Sequence, residues 1–190
     1  MRVITGSARG RRLLEPEGME TRPTTDRVKE GLFSAIQFEI EGRRALDLFA
    51  GTGQMGIECL SRGAAEAVFV ENRPRAAEIV RENLRRTGLA DRGRVVTGDA
   101  LDYLAKARRR FDLIFLDPPY ETDLLEQAIK CAVTFDILEP HGIIAAEHPA
   151  GRFPRLSPPE AERVRLYRTY RYGKIAVTLL RAEREKDAGL

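Results

Sequence analysis

The sequence has no apolar run near the roughly 20 residues that a bilayer span requires, which argues against a helical membrane protein. Its opening, Met1-Arg2-Val3-Ile4-Thr5-Gly6-Ser7-Ala8-Arg9-Gly10, carries charge but no apolar core, so it does not read as a signal peptide. There are only two cysteines, Cys59 and Cys131, and their spacing suits neither a disulfide framework nor a metal site. Two reduced core thiols in a cytoplasmic protein are expected. The two histidines, His141 and His148, have no ligand partners near them in sequence, so no metal is expected. His148 reads as an ordinary loop histidine. No Ser-His-Asp or Cys-His arrangement and no internal repeat is evident.

What remains is an ordinary soluble composition. With 190 residues, 43% of them apolar and 32% charged, one globular domain over 1–190 with a full core is expected. The net charge of +3 is unevenly placed. Residues 1–29 hold Arg2, Arg9, Arg11, Arg12, Arg22, Arg27 and Lys29 against four acids, and the rest of the chain carries 25 charges of each sign. A basic N-terminal stretch suits a phosphate backbone, and equally a solvated surface.

Short apolar runs alternate with longer amphipathic ones, the pattern of a parallel sheet covered by helices. A helix is expected after Thr24-Thr25-Asp26, with Val28, Leu32, Ala35 and Ile36 on one face. Strands are expected at 45–49, 67–70, 95–97, 111–116 and 143–147, and helices at 74–87, 101–107 and 124–134. Residues 149–159, with four prolines, read as an irregular connection. Two β-rich runs, 165–171 and 175–180, then form a hairpin through Tyr172-Gly173-Lys174. The polar end, 181–190, is expected to fray. The fold class is therefore α/β and Rossmann-like. A mostly parallel seven-stranded sheet of the class I methyltransferase type ends in an antiparallel hairpin, with a short β-rich extension over 1–21.

Asp47-Leu48-Phe49-Ala50-Gly51-Thr52-Gly53-Gln54-Met55-Gly56 reads as strand, turn and helix start. Gly51, Gly53 and Gly56 satisfy the dinucleotide spacing, with Glu71 20 residues after the first. The loop alone does not separate NAD from S-adenosylmethionine. Asp47 weighs for the second, because a carboxylate there would repel a pyrophosphate but suits a ligand carrying an ammonium and a sulfonium. Glu71, at the tip of the second strand, is placed for the ribose hydroxyls of either cofactor. Asp99 and Ala100, at the tip of the third, are placed for an adenine edge. Helix capping is the lesser alternative for each acid, and the stronger one for Asp99 than for Asp47 or Glu71. Gln54-Met55 puts larger side chains beside the loop than the turn would favour.

The fourth strand runs into Asp117-Pro118-Pro119-Tyr120. In a doubly wound sheet this position is expected at the mouth of the crevice that the glycine loop opens. The tetrapeptide resembles the signature of amino methyltransferases acting on adenine N6, cytosine N4 or guanine N2. An exocyclic amine is a poor nucleophile because its lone pair is delocalised into the ring. The Asp117 carboxylate and the Pro118 carbonyl could hold its hydrogens and favour attack on a methyl, with Pro118 and Pro119 fixing them in advance. Tyr120 offers a ring on which the target base can stack. A plain strand end with a turn remains the alternative.

The likeness extends further. Arg22-Pro23-Thr24-Thr25-Asp26-Arg27-Val28-Lys29-Glu30-Gly31-Leu32-Phe33 is similar to a segment of the RsmD-type methyltransferases, which modify a guanine N2 of bacterial small-subunit ribosomal RNA. So are Arg2-Val3-Ile4-Thr5-Gly6 with Gly10-Arg11, the run 47–53, Leu60-Ser61-Arg62-Gly63-Ala64, Asp117-Pro118-Pro119-Tyr120, and Tyr172-Gly173-Lys174. This resemblance implies that Arg22 and Thr24 close over the methionine end of S-adenosylmethionine. Asp47, Phe49, Ala50, Gly51, Thr52, Gly53, Gly56, Glu71, Asn72, Asp99 and Ala100 would line the rest. Asp117, Pro118, Pro119 and Tyr120 would hold the base, while Arg9, Arg11 and Arg12 would touch RNA. The implied partner is ribosomal RNA or a small-subunit assembly intermediate, met by a monomer. An adenine-N6 methyltransferase is the near alternative and an NAD-dependent oxidoreductase the remote one.

Overall fold

The computed structural model describes residues 1–16, 26–120 and 122–183. Contacts divide the chain into two compact units, Met1–Ala100 and Leu101–Leu190. The first holds helix α1 (Asp26–Ala35), strand β1 (Arg44–Asp47), α2 (Gln54–Ser61), β2 (Glu66–Glu71), α3 (Pro74–Thr87) and β3 (Gly93–Thr97). From Ala100 the chain runs through α4 (Ala100–Lys106), β4 (Phe111–Leu116), α5 (Leu124–Thr134), β5 (Leu138–Pro149), α6 (Pro158–Arg163), β6 (Val164–Tyr172) and β7 (Ile175–Ala182). Within the first unit the strand order is β3-β2-β1, and within the second it is β4-β5-β7-β6. Pairings of β1 with β2, β2 with β3 and β4 with β5 are parallel, while β7 pairs antiparallel with both β5 and β6.

Local chemistry explains most boundaries. Helix α3 starts with a proline in its first turn and ends where Gly88 turns left-handed at φ 73°, with Leu89 N donating to Leu84 O at 2.9 Å. Strand β2 is buried at every position but its first, whereas β3 at the sheet edge is only half-buried. That is why β3 shows just Val95-Val96 as an apolar signal.

Four expectations are corrected. The proline-rich connection contains α6, started by a reciprocal cap between Ser157 and Glu160, with prolines occupying its first turn where no amide is needed. On α1 the buried side chains are Val28, Lys29, Leu32 and Phe33, followed by Ile36, while Ala35 at the helix end is exposed. His148 is not a loop residue. It is 2% exposed within β5, with Nδ1 2.9 Å from the Pro149 carbonyl and Nε2 2.7 Å from Thr178 Oγ1. A carbonyl only accepts, so Nδ1 carries the hydrogen. Arg181 and Ala182 are not frayed but continue β7, and residues 184–190 lie outside the described residues.

The N-terminal segment folds back on itself. Val3 N donates to Arg11 O at 3.0 Å, and Leu13 N to Met1 O at 3.1 Å. Val3, Ala8 and Leu13 point inward; Arg9, Arg11 and Arg12 are exposed. The segment is fastened to α2 by Glu58, fully buried, which accepts the amides of Ile4 (2.8 Å) and Thr5 (3.0 Å). Lys29, also fully buried, donates to Arg2 O at 2.5 Å and stands 3.6 Å from Glu58. At Gly6, with φ +88°, an added Cβ would sit 1.8 Å from Ser61 O, so only glycine fits.

Candidate functional site

In the first unit, β1 delivers Asp47 to the start of a turn in which Gly51 (φ 56°) and Gly53 (φ 79°) are both left-handed. The three glycines do different work. A Cβ at Gly51 would meet open space, so its backbone is free for a ligand to approach. One at Gly53 would press Val80 at 2.9 Å, and one at Gly56 would strike the Phe69 ring at 2.3 Å. Gly56 therefore serves the packing of α2 on β2, and Gly51 leaves the mouth of the turn open.

Asp47 is buried and accepts a hydrogen bond from Gly56 N at 3.0 Å. Burial, reinforced by the nearby Glu71 carboxylate, pushes its pKa up to about 7, against the opposing pull of the Gly56 and Met55 amides. Glu71 braces the turn: Oε2 accepts from Gly51 N at 2.8 Å, and Oε1 from Arg73 N and Nε at 3.0 and 2.8 Å. Thr52 is buried and Phe49 half-buried; Ala50 is buried, its amide bonded to Val70 O at 3.0 Å. Asn72 and Asp99 are exposed at the ends of β2 and β3, and Ala100 is buried at the start of α4. Gln54, 9% exposed, keeps Oε1 buried without a hydrogen-bond partner among the described residues. Arg22 and Thr24 lie outside the described residues.

In the second unit, β4 runs into Asp117-Pro118-Pro119-Tyr120, with Asp117 and Tyr120 half-buried and Pro118 buried. The Tyr120 hydroxyl donates to Glu147, a buried carboxylate on β5. Arg152 donates to the Tyr120 carbonyl at 3.0 Å and reaches Asp123 at 3.4 Å, while the Thr122 hydroxyl donates to Pro119 O at 2.7 Å. This turn borders a shallow recess lined by Pro118, Tyr120, Leu125, Glu147, His148 and Arg152 among others. The site thus offers a proline-stiffened acceptor turn, an aromatic ring tied down by a buried acid, and an adjoining recess.

Residues 1–181 match the protein family described as Conserved hypothetical protein 95. The chain is also 39% identical over 147 residues to Ribosomal RNA small subunit methyltransferase D of Escherichia coli (strain K12), covering 77% of this chain and 71% of that protein. It belongs to the RsmD-type methyltransferase family. The solved structure of the Escherichia coli protein yhhF superposes with a TM-score of 0.87 at 32% identity, over 97% of this chain and 99% of that one. The crystal structure of an RNA methyltransferase from Salinibacter ruber in complex with S-adenosyl-L-homocysteine shares the fold, with a TM-score of 0.64 at 19% identity over 88% and 98% of the two chains. This RsmD-type methyltransferase therefore has the class I architecture. Among its described residues, no helix is long and apolar enough to cross a membrane, and no cluster of His, Cys, Asp or Glu could hold a metal.

Sequence reasoning missed three positions in this family member. Asn83, fully buried on α3, accepts from Leu14 N at 2.7 Å and donates to Leu14 O and Thr52 O at 3.1 and 3.0 Å. It ties the N-terminal segment to the glycine turn. Its signal was an amide on the apolar stripe of Ala76, Ala77, Val80 and Leu84. Glu147 was visible only as one acid in an apolar strand, and Arg152 gave no signal.

Proposed function

We propose that the chain methylates the exocyclic N2 of a guanine in small-subunit ribosomal RNA, acting as a monomer on free RNA or a partly assembled particle. The carrying observation is the Asp117-Pro118-Pro119-Tyr120 turn, with its ring anchored to Glu147, in a chain 39% identical to a small-subunit ribosomal RNA methyltransferase. Bound S-adenosylmethionine supplies an activated methyl group on a sulfonium. The open Gly51 backbone and the Gln54 Oε1, unpartnered among the described residues, are compatible with such a ligand at the glycine turn. Asp47, Phe49, Ala50, Gly51, Thr52, Gly53, Gly56, Glu71, Asn72, Asp99 and Ala100 would hold it, together with Arg22 and Thr24.

On the base, Asp117 and the Pro118 carbonyl accept the two amine hydrogens, which draws the nitrogen lone pair out of conjugation with the ring. Pro118 and Pro119 keep these acceptors from relaxing, so little reorganisation is needed at the moment of reaction. Tyr120 stacks on the base, and Glu147 and Arg152 hold that ring and its backbone in place. Arg9, Arg11 and Arg12 would meet RNA phosphates. Their replacement by alanine should weaken RNA binding and flatten its salt dependence. An unchanged slope would move the phosphate contacts elsewhere.

Incubation with labelled S-adenosylmethionine and undermodified small-subunit RNA, free and partly assembled, followed by nucleoside analysis, tests the reading. Label in N2-methylguanosine is expected. Label in N6-methyladenosine would keep the reaction class and overturn the base.

Asp47 gives a pH test. Its folded pKa of about 7 lies above the ordinary carboxylate value, so the ligand-free fold gains stability from it at low pH and loses that as pH rises from about 4 to about 7. A ligand ammonium beside Asp47 favours the ionised form, so binding below about pH 7 must expel the proton. Affinity for S-adenosylhomocysteine should therefore rise from pH 6 to 8. Calorimetry in buffers of different ionisation enthalpy should detect proton release that fades above pH 8. A flat profile would remove Asp47 from the ligand's ammonium.

A further inference from the structure

The edge strand β6, Val164-Arg165-Leu166-Tyr167-Arg168-Thr169-Tyr170-Arg171-Tyr172, contains no acidic residue and alternates arginine with tyrosine. Such an edge normally invites pairing with another strand, and charges and bulges are the common protection. Here the arrangement goes beyond protection. The register slips between Leu166 and Arg168, leaving Tyr167 as the extra residue. A bulge of this kind re-aims a side chain. The Arg168 guanidinium lies 5.8 Å from the Tyr167 ring and 5.9 Å from the Tyr170 ring, and Arg181 of β7 lies 4.8 Å from Tyr167. Arg168 also donates to the Tyr170 hydroxyl at 3.3 Å. Tyr167, at 48% exposure, is therefore held at the surface beside the Arg168 and Arg181 guanidinium groups.

Charge and position both point to a polyanion with flat bases. Arg165 is offset by Glu183 at 3.2 Å, but among the described residues Arg168, Arg171 and Lys174 have no carboxylate partner. In the ladder, Tyr170 pairs with Val177 and Val177 pairs with Glu147, so all three lie in one row on one face. Glu147 is the acid that holds Tyr120. Two strand spacings, about 10 Å, thus separate the backbones of Tyr170 and Glu147 along one sheet face. This is near the reach of one or two unstacked nucleotides.

We infer that Tyr167, Arg168 and Tyr170 form a stacking platform for unpaired nucleotides of the RNA adjoining the target guanine. Aromatic side chains bind bases of any sequence because every base has a π face, and interleaved arginines add phosphate contacts. The platform would hold the flanking strand while the target base enters the recess. This inference rests on the RNA-methyltransferase reading above.

The test compares three proteins on the same undermodified small-subunit RNA: the wild type, Tyr167→Ala/Tyr170→Ala, and Tyr167→Phe/Tyr170→Phe. The alanine pair should bind RNA at least tenfold more weakly by filter binding, with the loss falling on KM for RNA and the affinity for S-adenosylhomocysteine unchanged. Its salt slope should match the wild type, because no ion contact is lost. Arg168→Ala/Arg171→Ala should instead flatten that slope. The phenylalanine pair keeps the π faces and should behave as wild type. Unchanged RNA affinity and KM in the alanine pair would overturn the platform. So would sedimentation showing a wild-type dimer that the alanine pair dissociates, which would assign the edge to a second copy. A wild type that transfers no methyl to this RNA would fail the functional reading itself, and the platform with it; wild-type transfer with unaffected alanine variants fails the platform alone.

Discussion

Asp117→Ala should lower the rate of methyl transfer by about 10²–10³-fold while leaving affinity for S-adenosylhomocysteine unchanged. The residue follows β4 immediately before the buried Pro118, where its carboxylate is held by backbone that two prolines make stiff. A loss of that size corresponds to roughly 3–4 kcal/mol of barrier, in the range measured when one preorganised polar group is removed elsewhere. Asp117→Asn keeps an oxygen acceptor in the same place and should retain much more activity than alanine. Single-turnover methylation of ribosomal RNA, with calorimetry for the cofactor product, separates the two effects. If the alanine variant transfers methyl at the wild-type rate, the acceptor role assigned to Asp117 is wrong whatever the fold. A parallel loss of cofactor affinity would instead make Asp117 part of the ligand's own site.

Lys29→Met should be the most damaging change to stability. Lys29 and Glu58 are both fully buried, and Glu58 holds Ile4, Thr5 and, at 2.9 Å, Arg62 Nε. Burial draws the Lys29 pKa down, and the Glu58 and Asp26 carboxylates oppose that shift. Removing the ammonium leaves Glu58 with less compensation and frees the Arg2 carbonyl, and breaking a buried pair of this kind costs about 3–5 kcal/mol. Thermal unfolding should drop by roughly 10 °C. The double variant Lys29→Met/Glu58→Gln should recover part of the loss, since the amide is neutral, although its single oxygen can accept from only one of the Ile4 and Thr5 amides. A drop equal to or larger than that of the single variant would show that packing of the lysine stem, not charge, is what α1 contributes there. Because Asn83 links Leu14 to Thr52, loosening the N-terminal segment should also be felt at the glycine turn.

The amino-acid pattern was most legible where one local rule dominates. Helix α3 carries proline at its start and a left-handed glycine at its end, and β4 is a nearly unbroken apolar run, so both were bounded correctly. The glycine turn and Asp117-Pro118-Pro119-Tyr120 were equally visible, since glycine and proline restrict the backbone whatever surrounds them. Helix α6 was not, because four prolines in eleven residues outweighed the Ser157–Glu160 cap that starts it. Ala35 was placed inward by periodicity alone, yet α1 ends there and the face turns toward Phe33 instead.

By itself the sequence determined the α/β class, the order of the elements other than α6, and the two motifs to which the proposed chemistry is assigned, because each depends on neighbours within about a dozen residues. Only the tertiary structure decided what the polar side chains do. Lys29 and Glu58, 29 positions apart, become a buried pair; Asn83 joins two segments; Glu147 fixes Tyr120; and His148 settles against Thr178. The reason is physical: an apolar residue is favoured on almost any buried face, whereas a buried polar group is tolerated only where a particular distant partner meets it.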